Sequence, residues 1–191
     1  MKNNEFVKER VMPIVVLVTI CLVITAALAY TNSITKPIIA ENAIKAANEA
    51  RVTLLAEADG FTAFDGDLIS YEEGAVAVTE CYIADNGAGM VITVSTKSFG
   101  GAMIEMIGLD AEGKITGVKV TSHADTPGLG TKAHDEVNHL PQYVGVSELT
   151  SPSAKAEASI DHIAGATVTS DAVHYGVKAA LEQYKIAGGA N

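Results

Sequence analysis

Residues 75–122 read AVAVTECYIADNGAGMVITVSTKSFGGAMIEMIGLDAEGKITGVKVTS, and this stretch decides the fold. Residues 75–84 are rich in Val, Thr, Tyr and Ile, side chains that suit a pleated, half-buried surface. Asp85-Asn86-Gly87 is a turn signal. In residues 89–96, Met90, Ile92 and Val94 alternate with Thr93 and Ser95, the period of a strand whose successive side chains face opposite ways. Residues 103–109 and 114–122 continue the pattern on either side of a second turn at Asp110-Ala111-Glu112-Gly113. Connections this short cannot carry a parallel crossover, so the spacing predicts an antiparallel meander.

Downstream lies His123-Ala124-Asp125-Thr126-Pro127-Gly128-Leu129-Gly130-Thr131-Lys132. Pro127 and Gly128 suit positions i+1 and i+2 of a type II turn. A loop holding His, Asp, Thr and glycines at a strand end also suits a ligand cradle, because functional residues favour loops on a rigid scaffold. Further on, Asp161-His162-Ile163-Ala164-Gly165-Ala166-Thr167-Val168-Thr169-Ser170 precedes a periodic segment. Val173, Val177, Ala180 and Tyr184 recur at helical spacing. Thr169, Ser170 and Asp171 are therefore expected at the helix start, as caps of the first turn. Gly165 and Ala166 present almost no side chain, which lets a ligand or backbone approach. Thr167 reads as a hydroxyl on an open loop facing the helix N-terminus, where exposed amides and the macrodipole favour an anion such as a phosphate.

Upstream, residues 11–30 contain no charge and are dominated by Val, Ile, Leu and Ala. About 20 apolar residues are what a bilayer crossing needs. The run exceeds the h-region of a cleaved signal peptide, about 7–15 residues, although Ala26-Ala27-Leu28-Ala29 resembles a cleavage site. Cys21 is preceded by Ile20, where a lipoprotein signal wants a small residue. We therefore read a retained transmembrane helix. Lys2, Lys8 and Arg10 precede it and only Lys36 and Lys45 follow closely, which orients residues 1–10 to the cytoplasm and the large domain outside. Pro37 suits the first turn of a second, membrane-proximal helix within residues 31–58. Asp59-Gly60 ends it, and residues 61–74 are turn-rich.

The 191 residues carry a formal charge of −10 while 48% are hydrophobic, a combination the membrane segment explains. An acidic chain without a basic stripe argues against nucleic acid. Of two cysteines, only Cys81 lies outside the membrane run, so no internal disulfide is expected and the core must hold the domain. No CxxC is present, and His134, His139, His162 and His174 show no metal-ligand spacing, so no metal is expected. Glu72-Glu73 and Asp135-Glu136 read as solvated faces rather than acid–base pairs. Strands bracketed by helices give an α+β domain over residues 59–191.

The Asp161–Ser170 string resembles the flavinylation motif of the FMN-binding domain family: Asp, two variable residues, Ser or Thr, Gly, Ala, then the Thr that carries FMN. Asp161, Gly165, Ala166 and Thr167 match, and Ala164 departs from the hydroxyl residue. His123 to Gly130 is similar to the same family's His-x-Glu-Thr-Pro-Gly-Leu-Gly segment, with Asp125 in place of Glu. With the N-terminal membrane helix, the resemblance extends to the G subunit of Rnf complexes, the ion-translocating ferredoxin:NAD oxidoreductases. A related family is the C subunit of sodium-translocating NADH:quinone oxidoreductase.

The resemblance implies a non-catalytic redox carrier with FMN held covalently by a phosphoester to Thr167. It implies neighbouring membrane subunits, including a second flavinylated one, and an FAD-dependent flavin transferase for maturation. By the same likeness His123, Thr126, Gly128 and Leu129 would contact the ring or phosphate, His123 being equally readable as a surface or core histidine. Asp161 would serve the transferase, and Thr169 and Ser170 either bond the phosphate or cap the helix. The alternatives are the quinone-reductase subunit, a stand-alone membrane-anchored flavoenzyme, and a flavin-free extracellular binding module.

Overall fold

The computed structural model describes residues 11–71, 75–135 and 137–189. Lys2, Lys8, Arg10, Glu72, Glu73 and Glu136 lie outside the described residues. The chain divides into two units, Met1–Ala46 and Ala47–Asn191.

One helix, α1 (Met12–Leu54), stands where the sequence suggested two. Pro37 lies inside it rather than starting a new helix. Its ring removes one helical bond and crowds the Ser33 carbonyl, a cost that this 43-residue helix carries without ending. The hydroxyls of Thr19, Thr31 and Thr35 donate to the carbonyls of Val15, Ala27 and Thr31 at 2.8, 2.9 and 3.0 Å. Such back-bonding satisfies each hydroxyl within its own helix, as an apolar surrounding requires. Residues 11–46 are all exposed. Among the described residues α1 is the one helix long and apolar enough to cross a membrane.

The second unit is built on an antiparallel sheet. Its strands are β1 (Phe61–Ala63), β2 (Ser70–Tyr71), β3 (Val76–Ala84), β4 (Gly89–Ser98), β5 (Gly101–Asp110) and β6 (Ile115–Ser122). The order is β1-β3-β4-β5-β6, with β2 also paired to β3. The expected meander is β3 to β6. The two short strands in the turn-rich stretch were not legible, because two or three residues cannot show a period. The segment between them is fixed from a distance: buried Gln183 accepts from the Ile69 N–H at 2.9 Å and donates to the Asp67 carbonyl at 3.0 Å.

Each face of the sheet is covered. The C-terminal helix α2 (Thr167–Ile186) lays Val173, Val177 and Ala180 against Met90, Ile92, Val94, Ile107 and Leu109. On the other face Ala50, Leu54 and Leu55 pack on Ala84, Val91 and Met106. Gly108 and Gly117 are register partners beneath that contact. A Cβ on Gly108 would stand 2.8 Å from the Leu54 carbonyl oxygen, so glycine is what lets the end of α1 reach the sheet. Arg51 holds the same turn, at 2.8 Å from Glu80 Oε2 with its guanidinium 3.8 Å from the Tyr82 ring centroid. Cys81 is buried, and burial pushes its thiol up to about 11, which keeps it an unreactive core residue.

Glu105 is the anomaly of this core. It is fully buried on the α2 face, and neither carboxyl oxygen has a hydrogen-bond partner. Burial pushes its pKa well above the ordinary value of 4.5. A Cβ at Gly176 would overlap this carboxyl, which explains a glycine in mid-helix. The folded chain thus keeps a neutral acid at pH values where the unfolded chain ionises it. Stability should fall as pH rises between the two pKa values, by up to about 1.4 kcal/mol per pH unit. We expect Glu105→Gln to remove that slope. Its melting temperature relative to the native chain should rise from pH 5 to pH 8, whereas parallel curves would refute a neutral Glu105.

Candidate functional site

Two tight turns form the site. In the first, the Leu129 N–H donates to the Thr126 carbonyl at 3.2 Å and Gly128 has φ +77, the left-handed conformation a type II turn needs at its third residue. The Gly128 N–H in turn donates to Thr131 Oγ1 at 2.8 Å. In the second, the Ala166 N–H donates to the Ile163 carbonyl at 3.0 Å, with Gly165 at φ +85. Gly165 is therefore required by its backbone. The space for a Cβ is open, with Leu129 Cδ1 3.6 Å away as the nearest atom.

α2 begins earlier than the sequence suggested. Thr167 is its first helical residue and Ala166 precedes it, with no side chain capping the end. Thr169 and Ser170 are consequently inside the helix, 1% and 0% exposed, and cap nothing. They tie loops to the helix instead. Ser170 Oγ accepts the Ile163 N–H at 3.1 Å, and Thr169 Oγ1 donates to Asp125 Oδ1 at 3.2 Å. Nor is Thr167 on a loop; it is exposed on the first turn of α2, whose leading N–H groups have no intrahelical acceptor.

Asp125 Oδ1 also accepts the Gly100 N–H, at 2.8 Å. One buried carboxylate oxygen thus joins the β4–β5 hairpin, the loop after β6 and the start of α2. The two turns face each other around it. Between them lies a cavity of about 290 Å³ walled by Phe99, Asp125, Thr126, Leu129, Gly130 and residues 165–169. The wall is mostly apolar, and Phe99 at the hairpin tip is 76% exposed. An apolar cleft that ends on an uncapped helix N-terminus suits a ligand that is part flat and apolar, part anionic.

Of the residues singled out in the sequence, Thr126, Leu129, Gly165, Ala166, Thr167 and Thr169 meet in this cavity wall. His123, Gly128 and Ser170 are not in the wall. Asp161 is exposed beside it in sequence, its N–H donating to Gln142 Oε1 at 2.6 Å. Phe99 escaped sequence reading because an apolar residue at a strand tip carries no motif signal, and Val168, known only as part of the family-like string, also stands in the wall. His139 and His174 are core histidines whose pKa values burial lowers; the His174 ring nitrogen Nε2 lies 3.2 Å from the Ser151 carbonyl. His134 is displaced downward from its ordinary value, mainly by burial and then by the neighbouring His123. The two rings lie 4.4 Å apart, centroid to centroid.

Residues 99–182 match the FMN-binding domain family, a span that starts at Phe99 and includes the whole cavity wall. The G subunit of the Na(+)-translocating ferredoxin:NAD(+) oxidoreductase complex of Acetobacterium woodii is 31% identical over 186 residues, 89% of each chain. The G subunit of the proton-translocating ferredoxin:NAD(+) oxidoreductase complex of Clostridium ljungdahlii is 29% identical over 165 residues, 85% of each chain. The G subunit of the ion-translocating oxidoreductase complex of Stutzerimonas stutzeri is 29% identical over 85% of this chain and 75% of its own length. A crystal structure of NqrC from Shewanella oneidensis has a TM-score of 0.44 at 16% identity, covering 62% of this chain and 69% of that one.

Residues 99–182 are thus an FMN-binding domain by family. More particularly, the chain belongs to the G-subunit family of ion-translocating (Rnf) ferredoxin:NAD oxidoreductase complexes.

If Asp125 is the joint between the three segments, Asp125→Ala should lower stability by about 2–3 kcal/mol, since it strands the Gly100 N–H and the Thr169 hydroxyl. Asp125→Asn keeps an acceptor and should recover most of the loss in a urea titration. Equal losses for the two variants would show that the carboxylate oxygen is not the joint.

Proposed function

We propose that this chain is an electron-carrying subunit of an ion-translocating oxidoreductase, with FMN joined covalently through its phosphate to Thr167. The observation that carries the reading is an exposed Thr167 at the uncapped first turn of α2, set in an apolar cavity wall. The residues fit the cofactor's two halves. The leading N–H groups of α2 suit the phosphate, where the helix dipole favours negative charge. Leu129, Phe99 and Val168 offer apolar surface to the ring, and Gly165 and Ala166 keep side chains out of the way.

When bound, the flavin supplies the electron-transfer chemistry; the chain holds it and sets its surroundings. The residues do this by fixing the phosphate end on a rigid helix and by lining the cleft with side chains that exclude water. A covalent tether keeps the cofactor from diffusing away and raises its local concentration at the site. Asp161, exposed ahead of Thr167, serves recognition by an FAD-dependent flavin transferase. The partners are the other membrane subunits of the complex, one of them flavinylated too. α1 anchors the chain, with its N-terminus cytoplasmic and the flavin domain outside.

Intact mass and peptide mapping of protein from its native membrane test this. We expect an adduct of one FMN less one water, stable to denaturation, on the peptide holding Thr167. Thr167→Ala should lose both adduct and yellow colour. An unmodified native chain would overturn the covalent reading.

A further inference from the structure

Three titratable side chains converge at the edge of the cavity: His123, which the family likeness offered to the flavin, Asp125 of the cavity wall, and His134. A ring nitrogen of His123, a carboxylate oxygen of Asp125 and a ring nitrogen of His134 all lie within 4.8 Å of one another. His123 and Asp125 come from the loop that follows β6 and His134 from the helical turn Gly130–His134, nine residues beyond Asp125, so the sequence spacing does not announce the group.

His134 Nε2 stands 3.2 Å from Asp125 Oδ2, and the two side chains are 6% and 0% exposed. The two atoms are within ion-pair distance, which offsets part of their burial cost, yet neither reaches hydrogen-bond alignment and His134 Nδ1 has no hydrogen-bond partner. A shared cation would satisfy both. Ligands about 2.1 Å from a tetrahedral ion are held roughly 3.4 Å apart, close to the spacing found here.

The rest of the carboxylate is arranged for such a role. Asp125 Oδ1 takes the Gly100 N–H and the Thr169 hydroxyl, which fixes the plane of the group and leaves Oδ2 for the cluster. Orientation of a ligand by outer hydrogen bonds is a regular feature of metal sites. His123 is exposed, and the bond its ring accepts is a long one, 3.3 Å from the Asp125 N–H to Nδ1, which a side-chain rotation would release. Two imidazoles and one carboxylate suit first-row divalent ions, and three protein ligands leave coordination positions open.

We propose that His123, Asp125 and His134 bind one divalent transition-metal ion of the zinc class at the edge of the cavity. Asp125 belongs to the cavity wall and to the cluster alike. A bound ion would therefore turn the local charge at that wall from negative to positive and favour a phosphate there. This consequence rests on the flavin reading; the ion site itself does not.

The test uses untagged full-length protein in detergent, stripped with a chelator, in native and Thr167→Ala forms. Cobalt(II) alone is titrated by visible absorption and zinc(II) alone by calorimetry. We expect one equivalent to bind with a cobalt spectrum of nitrogen and oxygen ligands. His134→Ala and His123→Ala should each weaken binding by about 10–100-fold, and His162→Ala should leave it unchanged. His123→Ala is the safer variant because the side chain is exposed and its loss should not disturb folding. Failure to bind a stoichiometric ion, or binding that survives both His123→Ala and His134→Ala, overturns the proposal. Thr167→Ala separates the two readings: it should lose flavin while retaining the ion. If it lost the ion and kept the flavin, the metal site would not be independent and the acceptor assignment would be wrong.

Discussion

A single oxygen of Asp125 fastens together three parts of the chain that are far apart in sequence. It accepts from Gly100 in the β4–β5 hairpin and from Thr169 in α2, while its own backbone belongs to the loop after β6. The contact is buried, so each donor left without it would lose a bond that water could not replace. The close fit around it leaves no room for larger neighbours: a Cβ on Gly130 would stand 2.8 Å from Asp125 Cβ, and one on Gly100 would overlap the Ala124 backbone. With the three segments fastened, the turns at Gly128 and Gly165 face each other, and the cavity is what remains between them.

The scaffold behind that joint depends on both faces of the sheet being covered. β4 shows why: Met90, Ile92 and Val94 pack beneath α2, while Val91 faces the end of α1. A strand buried on both sides is apolar on both faces, and Met90-Val91-Ile92 is such a run before Thr93 interrupts it. Some polar residues within this core are tied, as Gln183 and one oxygen of Asp125 are, and Glu105 is kept neutral by burial.

Much of this was legible in the sequence. The meander, its turns at residues 85–87 and 110–113, the buried face of α2 and the type II turn at Pro127-Gly128 all follow from local chemistry, and the structure has each of them. What failed was anything set by distant partners. The hydroxyls of Thr169 and Ser170 look like caps because caps use those residues, but one is drawn to Asp125 and the other to the Ile163 amide, which moves the helix start back to Thr167. β1 and β2 exist because β3 holds them and Gln183 holds the segment between them. The approach of His123 to His134 requires the helical turn after Gly130 to fold back on the strand end, and the spacing of the two histidines says nothing of it. The cavity residues Thr126, Leu129, Gly165, Ala166 and Thr167 were found through the family's motifs; Phe99 and the place of Val168 in the wall required the fold.

The Gln183 clamp has a bearing on how the domain is made. Its bonds to Asp67 and Ile69 span 116 and 114 residues. Those bonds, and the apolar cover over one face of the sheet, come from a helix synthesised after every strand it covers. Until α2 has emerged and docked, the strands keep that face open and the Asp67–Ile69 segment lacks its Gln183 clamp, so the closing of such long loops belongs late in folding. Thr167 joins the finished cavity wall only at that step. An enzyme that recognised the whole cleft would have to wait for the completed domain, whereas one that read only the linear stretch around Thr167 could act on a chain still being assembled.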